Sequence, residues 1–247
     1  MLATIRGTIV RRVLVNYRVR PDAIARFMPP TFRPQLVDGW SIAGICLIGL
    51  KDIRPQWLPA VVGITSENAA HRIAVEWDEA GVTKTGVYIP RRDSSSHLNQ
   101  LAGGRLFPGQ HHAARFQVVD TPSHIKVAFS SLDGSTGVSI AARCTQSVPE
   151  SSVFADTDAA SAFFRGGCTG YSARTNSDTL DGIELCCDTW NITPLDVEHV
   201  SSTYFDDTTR FAKAEATFDS AFIMRQLPHR WIGRSPKTSG TLAANIA

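Results

Sequence analysis

The sequence has few charged residues and no marked excess of either sign. Lys and Arg number 25, Asp and Glu number 23, and charged residues make up 19% of the 247 positions. A net charge of +2 without a long basic run gives no support for nucleic-acid binding. The longest apolar stretch, residues 41–50, is shorter than the roughly 18 residues that span a bilayer. We therefore expect neither a nucleic-acid partner nor a membrane partner.

Cysteine is scarce and its positions follow no metal-binding pattern. The chain has five cysteines, an odd number, and their spacing matches no common ligand motif. Cys186 and Cys187 are adjacent, and neighbours on a strand point to opposite faces. The first residues lack the basic region and apolar core of a secretion signal. These absences favour reduced thiols and a cytoplasmic location, and we expect no metal and no cofactor.

The hydrophobic residues that are present form strand-like patterns. They make up 43% of the chain, which is enough for a sizeable core. Apolar and polar residues alternate along many segments, as strands require. Two short helices, at residues 21–28 and 156–165, and two loops, at residues 51–60 and 171–181, are predicted between strands. The sequence therefore predicts an α+β fold that is mostly antiparallel β, rolled or closed to protect its edges.

The domain organisation is predicted to be simple. No internal repeat or linker divides the chain, so residues 1–236 are expected to form a single β domain. Residues 237–247 are small and polar, which indicates a flexible C-terminal tail.

Residues 87–116 are the segment most expected to form a pocket. The pattern predicts a strand, a turn, a short helix, a tight loop and a second strand. Serines at 94–96 can cap the helix, and Gly103-Gly104 can end it. His111 and His112 then open the second strand, so the segment combines imidazoles with turn residues that can position them.

Arg11 is predicted to point inward, because it shares a strand face with Ile9 and Val13. A guanidinium on an apolar face needs an anion, a carbonyl oxygen or an aromatic ring as its partner. Arg11 is therefore a candidate for binding a substrate anion, and a structural salt bridge is the alternative.

The adjacent histidines are predicted to face opposite sides of their strand. His112 shares a face with Ala114 and Phe116, so it is placed inward, where a neutral imidazole can transfer protons. A core histidine bonded to a carbonyl is the alternative. His111 shares a face with Arg115 and is placed at the rim of the pocket as a binding residue.

Three further residues complete the candidate site. Glu67 and His71 lie two pleats apart on one strand face, where Glu67 can act as a base or orient an imidazole. His71 and Arg91 are placed among the substrate-binding residues. The alternatives are an edge carboxylate in solvent for Glu67 and a solvated strand end for Arg91.

Several segments, in their order along the chain, resemble the acetoacetate decarboxylase-like superfamily, and in particular an uncharacterised bacterial branch of it. These are Asn16-Tyr17-Arg18-Val19 with Pro21-Asp22-Ala23 and Met28-Pro29-Pro30, then Ser66-Glu67-Asn68, Gly104-Arg105-Leu106-Phe107-Pro108, Val197-Glu198-His199 and Ser220-Ala221-Phe222. The resemblance implies a cone-shaped, barrel-like antiparallel sheet with an internal pocket and a tendency to assemble into a dimer or larger homo-oligomer. It also implies that Arg11 lies within one position of the carboxylate-binding arginine and that Glu67 matches an acidic position.

The sequence departs from the superfamily at its catalytic lysine. The decarboxylases follow Phe-Pro with two lysines, the first of which forms a Schiff base, whereas Phe107-Pro108 here precedes Gly109-Gln110. We therefore expect acid–base chemistry by His112 and Glu67 on a small carbonyl or carboxylate compound, of lyase, isomerase or cyclase type, without Schiff-base decarboxylation. A non-catalytic protein that binds a small ligand in the same pocket is the alternative.

Overall fold

The structure is a computed structural model that describes residues 4–96, 109–174 and 177–240. The helix predicted to begin after the serines at 94–96 and to end at Gly103-Gly104 lies outside these residues, as does the segment from Gly104 to Pro108.

Strands dominate the described residues, with 62% of positions in strands and 8% in helices. The strands are β1 (Ile5–Val19), β2 (Arg33–Pro34), β3 (Leu36–Val37), β4 (Trp40–Pro55), β5 (Ile64–Glu79), β6 (Val82–Ser94), β7 (His111–Asp120), β8 (His124–Ser131), β9 (Gly137–Cys144), β10 (Thr169–Ala173), β11 (Thr179–Cys187), β12 (Thr193–Ser202) and β13 (Ala216–Thr238). The helices are α1 (Pro21–Ala25) and α2 (Thr157–Gly166), and a 3₁₀ turn lies at Ala60–Val62.

Nine strands close into a ring. Their order is β6, β7, β8, β9, β12, β13, β1, β4 and β5, with β5 pairing back to β6. Most neighbours are antiparallel, while β6 pairs in parallel with both β7 and β10, so the sheet is mixed and not a clean barrel. The predicted α+β fold, mostly antiparallel and closed on itself, is confirmed.

A second, smaller ring shares one wall with the first. Strand β11 pairs with both β10 and β13, and β10 pairs with β6. Five neighbouring strands therefore form a shared wall with a closed ring of strands on each side. They are β6, β5, β4, β1 and β13. Because both faces of this wall are covered, polar residues on either face can be buried, which matters for the site described below.

The largest hydrophobic cluster fills the nine-strand ring. It draws inward-facing residues from nearly every strand of that ring, including Val13, Leu47, Ile73, Phe129 and Ile140. The wall strands reach this cluster because apolar residues recur at every second position along them. Asp38-Gly39, a dipeptide typical of tight turns, joins the paired strands β3 and β4, and both residues have positive φ, 48° and 76°.

Helix α2 packs on the opposite face of the shared wall. Its predicted start is confirmed, because the Asp156 carboxylate accepts a hydrogen bond of 2.7 Å from the Ala159 backbone N–H. Ala160 and Phe164 are buried and pack in a second cluster that includes Leu14 of β1 and Phe222 of β13. The helix thus covers part of the wall on the side of the smaller ring.

Two loops predicted from the sequence are strands instead. Residues 51–60 were expected to be a loop because they contain two prolines, but β4 continues to Pro55 alongside the first residues of β1, and only residues 56–60 lie outside it. Residues 171–181 were expected to be a polar loop, but they lie largely in the β10–β11 hairpin. That hairpin closes the smaller ring, so its pairing with β6 and β13, and not its own weak pattern, determines its structure.

Within the described ranges, no helix is long and apolar enough to cross a membrane. Strand β13 continues to Thr238, past the start of the tail predicted at residue 237. The division into one domain and a tail stays a prediction.

Candidate functional site

Arg11 and Glu67 meet inside the nine-strand ring. Arg11 is 3% exposed, and its Nη2 donates a hydrogen bond to Oε2 of Glu67. Asp120 lies 4.0 Å from the same guanidinium and binds Arg225 at 2.8 Å. Burial raises the pKa of Glu67, and the neighbouring Arg11 opposes this shift. The charge of Arg11 is therefore compensated by carboxylates of the protein itself.

Arg91 and His112 belong to a second ionic group on the same side of the wall. The guanidinium of Arg91 binds both oxygens of Asp93, at 2.8 and 3.0 Å, and donates to Ser135 Oγ at 2.8 Å. His112 Nδ1 lies 3.2 Å from Asp133 Oδ2, and Asp133 also contacts Arg91 at 3.4 Å. Burial raises the pKa of Asp93, against the effect of Arg91 and His112. The imidazole of His112 is thus tied to a carboxylate near the solvent.

His71 is buried between these two groups. It is 1% exposed, its ring lies 5.0 Å from the Tyr204 ring, and neither ring nitrogen has a hydrogen-bond partner among the described residues. Burial lowers the pKa of His71 to about 3, and the positive charges of Arg91 and Arg210 add to the shift. His71 is therefore neutral at physiological pH.

This buried neutral histidine predicts a loss of stability in mild acid. Because the folded pKa lies below the unfolded value of 6.5, its stabilisation is complete above pH 6.5 and declines as the pH falls toward 3. Between pH 6.5 and 5 we expect a loss of about 1–2 kcal/mol from this residue, at 1.36 kcal/mol per pH unit. Urea denaturation of wild type and His71→Leu across this range should show a flatter pH profile for the variant. Exposed His199→Leu is the control, and equal slopes for the three proteins would contradict the expectation.

A cavity lies in the smaller ring. It has a volume of about 110 Å³ and is lined by residues of β1, β4, β5, β6, β7, β10, β11 and β13. Most of its lining is apolar, with contributions from Ile9, Ile48, Ile89, Ile183 and Trp231. An apolar cavity with a few convergent polar groups is the usual form of a small-molecule site.

Two arginines reach this cavity without a carboxylate partner. Arg12 donates from Nη2 to the Cys46 sulfur at 3.7 Å and lies 5.6 Å from the centre of the Trp190 ring. Arg72 is 4% exposed, donates to the Asn16 side-chain oxygen and lies 5.0 Å from the centre of the Phe164 ring. No Asp or Glu of the described residues forms a salt bridge with either guanidinium.

Unsatisfied donors make the cavity attractive to an anion. Nε and Nη1 of Arg12 and Nε of Arg72 are buried and have no hydrogen-bond partner within the part of the chain that the structure describes. A buried guanidinium whose donors are unpaired raises the free energy of the protein unless an acceptor reaches it. Burial accordingly lowers the pKa of Arg72. A small oxyanion in the cavity would supply both the charge and the acceptors.

Arg92 and His111 also line the cavity. Burial lowers the pKa of Arg92 to about 10, with a small opposing effect from Cys46. The two residues are register partners in the parallel pairing of β6 with β7, which places them side by side. The backbone N–H of Arg92 donates to the Gln110 carbonyl at 3.3 Å, so the segment that follows Pro108 lies along this part of the wall.

The predicted residues therefore separate into two groups on opposite faces of the wall. Arg11 with Glu67, and Arg91 with His112, face the nine-strand ring, and His71 lies between these pairs. His111 lines the cavity of the smaller ring.

Sequence reasoning missed the other polar residues of that cavity, which are Arg12, Arg72, Arg92, Cys46, Asn68 and Asp93, the last of these paired with Arg91. The alternation of residues along β1 is the signal that could have identified Arg12. Arg12 lies on the same strand face as Leu14 and Asn16, and both of these are buried.

No group of three or more His, Cys, Asp or Glu residues that could hold a metal ion occurs within residues 4–96, 109–174 and 177–240.

Several solved structures share this architecture at low sequence identity. Acetoacetate decarboxylase from Legionella pneumophila is 11% identical, with a TM-score of 0.58 over 94% of this chain and 87% of that one. An acetoacetate decarboxylase-like enzyme from Sphingomonas wittichii is 13% identical, with a TM-score of 0.59 over 96% and 94% of the two chains. The enduracididine biosynthesis enzyme MppR, solved in complex with pyruvate, is 14% identical, with a TM-score of 0.56 over 96% and 90%. No curated protein matches the sequence.

The closed nine-strand ring with an attached smaller ring therefore defines a protein of the acetoacetate decarboxylase-like fold, as the resemblance implied. Identities this low establish the fold and not the activity. Within this fold class the chain belongs to the family DUF2071, described as an uncharacterized conserved protein, which it matches over residues 8–222.

Proposed function

We propose that this protein is a small-molecule enzyme that binds a carboxylate-bearing substrate in the cavity of the smaller ring and transfers protons there. The observation that carries the proposal is the pair Arg12 and Arg72, which reach an apolar cavity without a carboxylate partner among the described residues. The relatives of the same fold include a decarboxylase of a keto acid and an enzyme solved with pyruvate, which supports a small carboxylate or keto acid as the ligand class.

Proton transfer requires a titratable group at the cavity. His111 lines it and is the group we assign to this step, since an imidazole can both accept and donate a proton near neutral pH. His112 and Glu67 stay predictions for the same role. Glu67 contacts Arg11 and His112 contacts Asp133, and neither of the two lines the cavity.

A Schiff base is not part of the proposed reaction. Four of the five lysines, Lys51, Lys84, Lys126 and Lys213, are exposed, and Lys237 binds Glu79 at 2.8 Å. None of the five lines the cavity.

Position 109, one of the places where the superfamily motif carries a lysine, does not suit a side chain. Gly109 has φ 96°, and a Cβ there would lie 2.7 Å from the Ser172 Cβ. The backbone conformation and the lack of space both favour glycine at this position.

The test is a comparison of charged and neutral ligands by calorimetry and thermal shift. We expect pyruvate and acetoacetate to bind and methyl pyruvate to bind at least tenfold more weakly, a difference of about 1.4 kcal/mol. Arg72→Met should fold stably, because it removes a buried charge, and should lose the preference for the carboxylate. Arg115→Met, on the exposed surface of β7, is the matched control and should bind like wild type.

The same mixtures distinguish catalysis from binding alone. Product analysis by NMR should show turnover of at least one keto acid that is lost in His111→Gln while binding remains. Binding without turnover of any carboxylate would favour the alternative, a non-catalytic ligand-binding protein. If no carboxylate binds wild type, or if Arg72→Met binds as tightly, the cavity is not the anion site. An adduct trapped on lysine by borohydride would restore the Schiff-base route.

A further inference from the structure

Cys46 lies in the wall of the proposed substrate cavity. It is in the middle of β4, is 4% exposed and lines the cavity together with Cys168. Its sulfur accepts a hydrogen bond from Nη2 of Arg12 at 3.7 Å. It is a free cysteine, so the sulfur is available for chemistry. A nucleophilic atom therefore faces the same space as the two arginines.

The charges around Cys46 favour its ionised form. Burial by itself opposes ionisation of a thiol, but the neighbouring Arg12 and Arg72 outweigh it and lower the pKa of Cys46. Arg92 is a third positive group whose charge acts on this sulfur. Of the other thiols near Arg12, Cys168 and Cys187 have pKa values raised by burial. Of these three thiols, Cys46 is thus the one whose surroundings favour ionisation.

We propose that Cys46 is the nucleophile of this cavity and that it acts on small conjugated carboxylates whose charge is held by Arg72. This inference rests on the proposed function, because it takes the same cavity and the same carboxylate ligand. The buried, unpartnered Nε of Arg72 gives the anion a fixed position beside the sulfur. A thiolate is a soft nucleophile, and the β-carbon of a conjugated carboxylate is a soft electrophile that suits it.

The step balances without another reagent. The sulfur electron pair forms an S–C bond to the β-carbon, and the alkene π pair moves to the α-carbon and the carboxylate oxygens. The guanidinium groups stabilise the added negative charge on those oxygens. Rotation about the former double bond and return of the electrons then expel the thiolate and give the geometric isomer. If His111 protonates the α-carbon instead, the thioether adduct persists. The first outcome is an isomerisation and the second is an addition, and neither needs an oxidant or a cofactor.

The test compares anionic and neutral alkylating reagents on the intact protein. Iodoacetate and iodoacetamide modify thiolates through the same displacement, so their rate ratio reports the local charge. We expect iodoacetate to modify Cys46 about tenfold faster, relative to iodoacetamide, than it modifies Cys168, because clustered positive charge raises the local concentration of anions. Peptide mass mapping assigns the site. The half-maximal rate should fall below pH 9.0, the ordinary thiol pKa.

Variants determine the origin of the preference. Arg72→Met should reduce the iodoacetate preference at Cys46 toward that of Cys168, and Cys46→Ala should remove the rapid phase altogether. Cys168→Ala, which changes a thiol of the same cavity, should leave the rapid phase intact. Acrylate, a simple conjugated carboxylate, should form an adduct on the Cys46 peptide of wild type and not of Cys46→Ala.

Failure of this inference is distinct from failure of the proposed function. If Cys46 reacts no faster than Cys168 and forms no acrylate adduct while carboxylates still bind through Arg72, the nucleophile is overturned and the binding site stands. If carboxylates do not bind at all, the proposed function fails first. A preference for iodoacetate that survives in Arg72→Met would overturn the role given to that arginine.

Discussion

Replacing Asp219 by alanine is expected to lower the free energy of unfolding by about 3–5 kcal/mol, the range observed when one partner of a buried ion pair is removed. Its side chain is completely buried and lies 3.6 Å from the Arg18 guanidinium. The carboxylate also accepts hydrogen bonds from Val153 N–H at 2.9 Å and from the hydroxyls of Ser152 and Ser220, both at 2.8 Å. Alanine would leave the Val153 N–H and the two hydroxyls without this acceptor, while Arg18 would keep its hydrogen bond to the Ser151 carbonyl.

The loss should reach the cavity, because Asp219 fixes the segment that leads into α2. Ser152 and Val153 immediately precede Phe154, whose ring packs 5.4 Å from Phe164 of the helix. Phe164 in turn lies under the guanidinium of Arg72. A weakened attachment at Asp219 should therefore reduce both stability and carboxylate affinity.

Thermal and urea denaturation measure the first effect. For a chain of this length the expected loss corresponds to a melting temperature lower by about 6–20 °C. Asp22→Ala is the control, because Asp22 forms an ion pair with Arg20 but is 69% exposed, and its melting temperature should match wild type. If Asp219→Ala and Asp22→Ala melted together, the buried carboxylate would not hold the segment as described.

Much of the fold could be predicted from local sequence signals. The alternation in β1 identified a strand, and Arg11 is buried there, but a register shift between Ile9 and Arg11 puts Ile9 on the wall of the smaller ring's cavity instead of beside Arg11. The Asp38-Gly39 turn and the Asp156 cap are signals of the same kind, because each depends on residues close in sequence. Local consistency of this kind is what single-sequence reasoning detects.

The smaller ring could not be predicted because its evidence is not local. Strand β10 has only five residues, and it is a strand because it pairs with β6 and β11. Without that hairpin, one face of the wall is expected to be solvated, and Arg12 and Arg72 have the appearance of ordinary surface residues. Once the hairpin closes the ring, the same two side chains are buried in a cavity. Because the pairing of this hairpin was not predicted, the cavity that it closes was not predicted either.

The candidate site also shows that knowing which strand face a residue occupies does not identify the function of that residue. Arg11 was expected to hold a substrate anion or to form a structural salt bridge, and both require an inward position. In the structure its nearest acceptor is Glu67, which lies far along the chain and could not be paired with it by spacing. The unpartnered guanidinium groups, in contrast, are recognisable only when every neighbour is known. Site assignment therefore depended on contacts across the sheet.

Replacing Phe164 by alanine is expected to lower the free energy of unfolding by about 3–5 kcal/mol, the usual range for truncating a buried phenylalanine. Phe164 is 5% exposed and packs with the rings of Phe154 and Phe222, at 5.4 and 5.6 Å. Its ring also lies 5.0 Å below the Arg72 guanidinium. The substitution would leave a void directly beside the buried guanidinium. The van der Waals contacts and the cation–π interaction of the phenylalanine ring would be lost without replacement.

Two further variants distinguish the packing of Phe164 in the core from its contact with the Arg72 guanidinium. Phe163→Ala changes the neighbouring, partly exposed ring of α2 and should cost clearly less than Phe164→Ala. Phe164→Leu keeps most of the volume and removes only the aromatic face, so it should remain nearly as stable as wild type while binding pyruvate more weakly. Urea denaturation and calorimetry measure the two effects on the same samples. If Phe164→Leu binds as wild type does, the ring supports the core alone and Arg72 is positioned by its polar partners Asn16 and Cys46.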